Sequence, residues 1–154
     1  MSIESPEFVE QPEQVTVVVR RVAPMADLPG VFDAAFPALG AVLADQQVQP
    51  LSPAFALYHG TPTDTADLEV GFVTDAPVEP VGEVAVSTLP GGRVARTVYA
   101  GGYDGIGEAW GALFGWVAEQ GLEPTGEMWE VYLTEPTPDG DPADNRTELN
   151  LQIA

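Results

Sequence analysis

The sequence contains no cysteine, no lysine and a single histidine, His59. Its five positive residues are all arginines: Arg20, Arg21, Arg93, Arg96 and Arg146. Against 24 acidic residues they leave a formal net charge of −19. Each shortage excludes something. Without cysteine there is no disulfide, zinc ribbon or thiol nucleophile. Five scattered arginines cannot form the basic face that displaces counterions from phosphates, so direct nucleic-acid binding is not expected. The same field repels anionic membrane surfaces. No apolar run reads as a membrane span, and the N-terminal MSIESPEF has neither the basic nor the apolar part of a secretory signal. A cytoplasmic protein is the expectation. The acidity leaves open a neutral or cationic partner.

What is present is a globular composition, 45% apolar, in 154 residues with 16 glycines and 15 prolines. The most informative feature is an internal repeat. At an offset of 74, Phe55-Ala-Leu-Tyr58 aligns with Trp129-Glu-Val-Tyr132, and Ala44-Asp45-Gln46 with Ala118-Glu119-Gln120. Pro50 meets Pro124, Leu39 meets Leu113 and Phe36 meets Trp110. The register slips slightly towards the N-terminus, where Val18-x-Arg20-x-Val22 matches Val94-x-Arg96-x-Val98 at offset 76. One domain over 1–154 is expected, with halves 7–77 and 81–154 and Val78–Pro80 as the crossover.

Each half reads alike. Short strands at Phe8–Glu10 and Glu83–Leu89 lead through turns, Pro12-Glu-Gln and Pro90-Gly-Gly, into strands rich in β-branched residues at Val15–Ala23 and Arg93–Ala100. These pairs are expected to be hairpins. Helices follow at about Leu28–Gln47 and Tyr103–Gln120. The second carries an apolar stripe of Ile106, Trp110, Leu113, Phe114 and Val117, with Asp104 as N-cap and Gly121 as stop. Pro37 should kink or split the first. Two strands close each half: Ala54–His59 with Leu68–Thr74, and Met128–Thr134 with Thr147–Ile153. The polar stretch Glu135–Asp144 is expected to be a loop. Two ββαββ halves imply an α+β fold: one curved, mainly antiparallel sheet of about eight strands, two helices and a central cleft.

Glu130 is the first candidate for chemistry. Strand alternation puts Glu130 and Tyr132 on one face and Trp129, Val131 and Leu133 on the other. The matching residue in the first half is Ala56. A carboxylate where the sister repeat has alanine suits an acidic floor in an aromatic cleft, which would attract a lipophilic cation. An exposed sheet face, or an ion pair with an arginine such as Arg96, explains it equally well. Tyr58 and Tyr132 match across the repeat and could flank the axis with Glu130 between them. Most of the other rings, among them Phe32 and Phe36, are read as core. Gly105-x-Gly107-x-x-x-Gly111 lacks the parallel strand and acidic partner of a nucleotide loop. The one histidine and the absence of a calcium-loop pattern leave no metal site, and no serine sits in a nucleophile elbow. No cofactor is expected.

The paired halves, Ala100-Gly-Gly-Tyr103, Gly107-Glu-Ala-Trp-x-x-Leu-Phe-x-Trp116 and Glu130-Val-Tyr-Leu133 resemble the GyrI-like small-molecule-binding domain. That domain occurs as stand-alone proteins related to the gyrase inhibitory protein and as the effector-binding half of MerR- and AraC-type regulators. The resemblance implies an aromatic cleft in which a glutamate at the position of Glu130 recognises cationic lipophilic drugs, as in multidrug-sensing members. It implies Glu130, Tyr132, Tyr58, Phe55, Trp110, Tyr99 and Phe72 as ligand-binding residues. With both repeats filling residues from about 7 to 153, no helix-turn-helix is expected. The leading expectation is a stand-alone module that senses or sequesters a small hydrophobic, cationic molecule. One alternative is a detoxifying hydrolase of cyclopropane-type alkylating compounds with Glu130 as its catalytic group, since some relatives have that activity. Another is an acidic interaction protein with a protein partner.

Overall fold

The computed structural model describes residues 2–60, 62–134, 141 and 144–154. The elements run β1 (Ser2–Ile3), β2 (Glu7–Gln11), β3 (Gln14–Pro24), α1 (Leu28–Gln46), β4 (Phe55–His59), β5 (Thr65–Val73), β6 (Val84–Leu89), β7 (Gly92–Ala100), α2 (Ile106–Glu119), β8 (Pro124–Tyr132) and β9 (Arg146–Ile153). The fold is α+β, and every strand pairing is antiparallel. The strand order is β1-β7-β9-β8-β4-β5-β3-β6, with β2 also on β7. β1 and β2 are one edge strand interrupted at residues 4–6, so the sheet has eight strand positions. Most of the expected Glu135–Asp144 loop lies outside the described residues.

The first strand of each half departs from the expected hairpins. β2 pairs with β7 of the other half, and β6 pairs with β3. The register of the first ladder, Glu7↔Arg96 to Gln11↔Gly92, continues in the second, Gln14↔Leu89 to Val19↔Val84. One long two-stranded ribbon therefore bends at Pro12–Glu13 and Pro90–Gly91 and passes from one end of the sheet to the other. Proline supplies no N–H to either ladder, which suits it to the bends. Gly91 is required there, because a Cβ would lie 2.8 Å from the Glu13 backbone nitrogen and 3.1 Å from the Gln11 carbonyl oxygen. The sheet curls on itself as a result.

Both faces are thereby buried. The outer face carries the helices and the larger core, including Leu39, Leu68, Val70, Leu113 and Leu149. The inner face, which no helix covers, buries Val18, Phe55, Leu57, Val73, Leu89, Val94 and Trp129.

α1 is neither split nor ended by Pro37. Pro37 is exposed, so the carbonyl deprived of its N–H faces water, while Ala35, Leu39, Val42 and Leu43 hold the helix on the sheet. With its preceding turn this helix, Met25–Gln46, is long and apolar enough to cross a membrane by length and composition, contrary to the reading of the sequence. Its large apolar residues, among them Leu28, Leu39, Val42 and Leu43, pack on the sheet, while small residues such as Ala34, Ala38 and Ala41 occupy the exposed side. α2 buries Ala109, Trp110, Leu113 and Val117, with Ile106 and Phe114 partly buried. Its N-cap is Gly105, not Asp104, which lies in a preceding 3₁₀ turn and makes no capping bond. Gly121, at φ +73°, ends the helix as expected.

Candidate functional site

The two halves meet along β4 and β8, where Ala56 stands opposite Glu130. Those two residues are also equivalent in the repeat, so the pseudo-twofold axis passes between them. Glu130 projects onto the helix-covered face, as strand parity required. It is 6% exposed, which rules out an open sheet face.

Both carboxylate oxygens are engaged. Trp110 of α2 donates its indole N–H to Oε2 at 2.7 Å, and the Tyr132 hydroxyl donates to Oε1 at 2.8 Å. Among the described residues no basic side chain pairs with Glu130. Arg96, the arginine suggested by sequence, is on the opposite face. There it donates to Asn150 and Gln11 and pairs with Glu148. Burial pushes the Glu130 carboxyl above its usual range, and the bonds from Trp110 and Tyr132 only partly oppose this. Tyr58 lies in the same cluster. Burial raises its phenol most, the nearby Glu130 charge raises it further, and the Tyr132 hydroxyl opposes both.

A chain of rings leads outward from the carboxylate. Tyr132 meets Phe32 of α1 edge to face at 6.1 Å, Phe32 stacks on Phe36 at 6.1 Å, and Phe36 meets Phe72 of β5 at 6.1 Å. Trp110 continues to Phe114 at 6.2 Å. At the outer end, Phe36 and Phe72 border an open groove of about 640 Å³ beside the C-terminal half of α1. The carboxylate itself is sealed by the protein's own side chains.

Of the seven residues implied by the resemblance, the structure brings Glu130, Tyr132, Tyr58 and Trp110 into one cluster. Phe72 lies at the far end of the ring chain. Tyr99 is buried and donates its hydroxyl to the Gly102 carbonyl at 2.8 Å, so it fastens the entry to α2 rather than facing Glu130. Phe55 belongs to the inner face with Trp129, because it is one residue from Ala56 and strand side chains alternate. Phe32 and Phe36, read as core from the sequence, pack against the core and form the middle of this ring chain. The signal for Phe36 was its repeat match to Trp110. Among the described residues no group of side chains is arranged to hold a metal ion.

Comparison with known proteins agrees with this fold. The DNA complex of EcmrR superposes with a TM-score of 0.85 at 20% identity, covering 97% of this chain and 57% of that one. The chain therefore spans little more than half the length of that protein. The isolated EcmrR C-terminal domain gives 0.84 at 19% identity, with 97% of each chain covered. SAV2435, solved bound to tetraphenylphosphonium, gives 0.70 at 12% identity, covering 98% of this chain and 94% of that one. No curated protein matches the sequence. The model of the GyrI-like small molecule binding domain matches residues 4–154, and the chain belongs to that family.

Proposed function

We propose that the domain binds a small hydrophobic cation in the aromatic cluster around Glu130, and serves as a module that senses or sequesters it. The observation that carries this reading is the state of the Glu130 carboxylate. It is buried, and among the described residues it accepts hydrogen bonds only from neutral donors and no positive side chain balances it. A buried charge without a counter-ion is costly. A ligand cation supplies the missing partner, and neighbouring rings add about 0.5–2 kcal/mol each through their faces. The tetraphenylphosphonium bound to SAV2435 is a ligand of this chemistry on a similar fold.

The test is calorimetric titration with tetraphenylphosphonium. Saturable binding is expected, weakened at least about tenfold in Glu130→Gln, which keeps the shape and removes the charge. Equal affinity in the two proteins would refute recognition by charge. The raised carboxyl of Glu130 also fits a general acid, which favours hydrolysis as the second reading. Incubation with a cyclopropane-bearing alkylating compound, followed by mass spectrometry, separates the two. Many turnovers to a water adduct, abolished in Glu130→Gln, mark an enzyme; recovery of the compound unchanged rejects one.

A further inference from the structure

One free edge of the sheet is formed by β1 and β2, the other by β6. Edge strands are commonly blunted against unwanted pairing by charge, by proline or by interruption. The β1–β2 edge has all three: exposed Glu4, Glu7 and Glu10, Pro6, and the break at residues 4–6. β6 has none of them. Its sequence, Val84-Ala-Val-Ser-Thr-Leu89, carries no charge, proline or glycine, and the adjoining Glu83 is paired with Arg21. Ala85, Val86 and Thr88 are exposed. The direction of its backbone groups follows from β3. Thr74, just past β5, donates to the Val15 carbonyl at 3.1 Å, so Val15 and, two residues on, Val17 turn their backbone groups towards β5. Their partners on β6, Thr88 and Val86, therefore turn theirs away from β3. Val84 turns the same way, but Val81 closes it, with hydrogen bonds of 2.9 and 3.0 Å. Among the described residues nothing pairs with the backbone N–H and carbonyl groups of Val86 and Thr88.

We propose that β6 is a self-association edge, at which a second copy of this chain adds its own β6, antiparallel, about a twofold axis at Ser87. Antiparallel pairing makes a strand complementary to itself, as a twofold contact requires. Charge selects the place. Each copy carries −19, which opposes close approach, and the uncharged β6 adds nothing to that repulsion. The open groups select the register. An axis at Val86 would set Thr88 against the closed groups of Val84. An axis at Thr88 would set Val86 against Pro90, which has no N–H. An axis at Ser87 matches Val86 of each copy with Thr88 of the other and uses every open group. It also covers Val86, a large apolar residue 39% exposed. The contact is one short strand from each copy, so the dimer is a reversible one. This surface is remote in sequence from Glu130 and does not rest on the function proposed for it.

Sedimentation equilibrium of the full chain should show a concentration-dependent rise from one copy to two. Added sodium chloride should favour the dimer, because salt screens the repulsion between the copies. Thr88→Pro removes an N–H that β3 does not use, so the fold should survive while association weakens at least about tenfold. Val86→Glu, at an exposed position, adds like charges beside the axis and should act in the same direction. Cysteine substitution tests the register, since the chain has no cysteine of its own. The two Ser87 residues would face each other in a pair without hydrogen bonds, with Cα atoms about 4.5 Å apart, which is within disulfide range. Mild oxidation of Ser87→Cys should therefore link the copies. Ala85→Cys should not link, because its two copies would stand about 14 Å apart along the strands. The proposal is overturned if the protein stays a single copy at every concentration and salt, if salt dissolves the dimer, if Thr88→Pro and Val86→Glu both associate as the wild type does, or if Ser87→Cys links no more readily than Ala85→Cys.

Discussion

The two faces of the curled sheet handle charge in opposite ways. On the inner face, among the described residues, the buried and half-buried ionic groups pair with one another. Arg96 meets Glu148, and His59 lies between Glu69 and Glu127 across β5, β4 and β8. At the exposed edge Arg20 meets Asp67 at 2.8 Å. On the helix-covered face Glu130 has, among the described residues, only the neutral donors Trp110 and Tyr132. The difference teaches which charges serve the fold. Paired groups balance one another between neighbouring strands, whereas an unpaired buried carboxylate costs stability and calls for a partner from outside.

The sharpest way to break this comparison is to empty the inner face. Trp129→Ala removes a side chain that fills the curl, and it should cost about 3–5 kcal/mol in chemical denaturation. A loss below about 1 kcal/mol would mean that the inner core does not hold the sheet.

The next test concerns Glu130. Its folded-state carboxyl lies above the unfolded value, so the folded protein binds that proton more tightly. Stability from this group is therefore present at low pH and declines as pH rises from about 4.3, the unperturbed glutamate value, through the raised folded value. Glu130→Gln should remove that decline without unfolding the protein. An identical pH profile in wild type and variant would show that the carboxylate carries no cost.

His59 tests the paired face. Burial lowers its basicity, but hydrogen bonds and charge from Glu127 and Glu69 outweigh this and raise it. Its contribution should be complete below about 6.5, the unperturbed histidine value, and lost as pH rises through the raised folded value. Denaturation midpoints compared between wild type and His59→Gln across neutral pH should converge on the alkaline side. Last, Arg20→Gln should leave the melting temperature unchanged within error, since the Arg20–Asp67 pair is exposed and screened by water and salt.

Much of this arrangement was legible in the chain. Periodicity located the two helices and the principal strands, and strand parity selected Glu130 and turned it towards Tyr132. The same parity, applied one residue from Ala56, excludes Phe55 from the carboxylate's face. The exchange of β2 and β6 between halves was not legible. Pro12-Glu-Gln and Pro90-Gly-Gly read as hairpin turns locally, and only long-range pairing distinguishes a turn from a bend. Phe32 and Phe36 were hidden for a different reason. The outer side of α1 is made mostly of Gly30, Ala34, Pro37, Ala38 and Ala41, so no strongly polar stripe marks its inner face. The salt-linked inner network, built from residues far apart in sequence such as Arg96, Glu148 and Gln11, carried no motif at all.

The pairing of Ala56 with Glu130 has a consequence for how such a site can arise. On the twofold axis of an identical dimer, whatever one subunit contributes the other must contribute too. Two glutamates would collide as like charges sharing a proton, and two alanines would offer nothing to a cation. A lone carboxylate at that point is forbidden to a symmetric assembly. Joining both halves in one chain lifts the prohibition, because each copy can then mutate alone. The fusion is thus what permits a single carboxylate at the centre of a nearly symmetric fold.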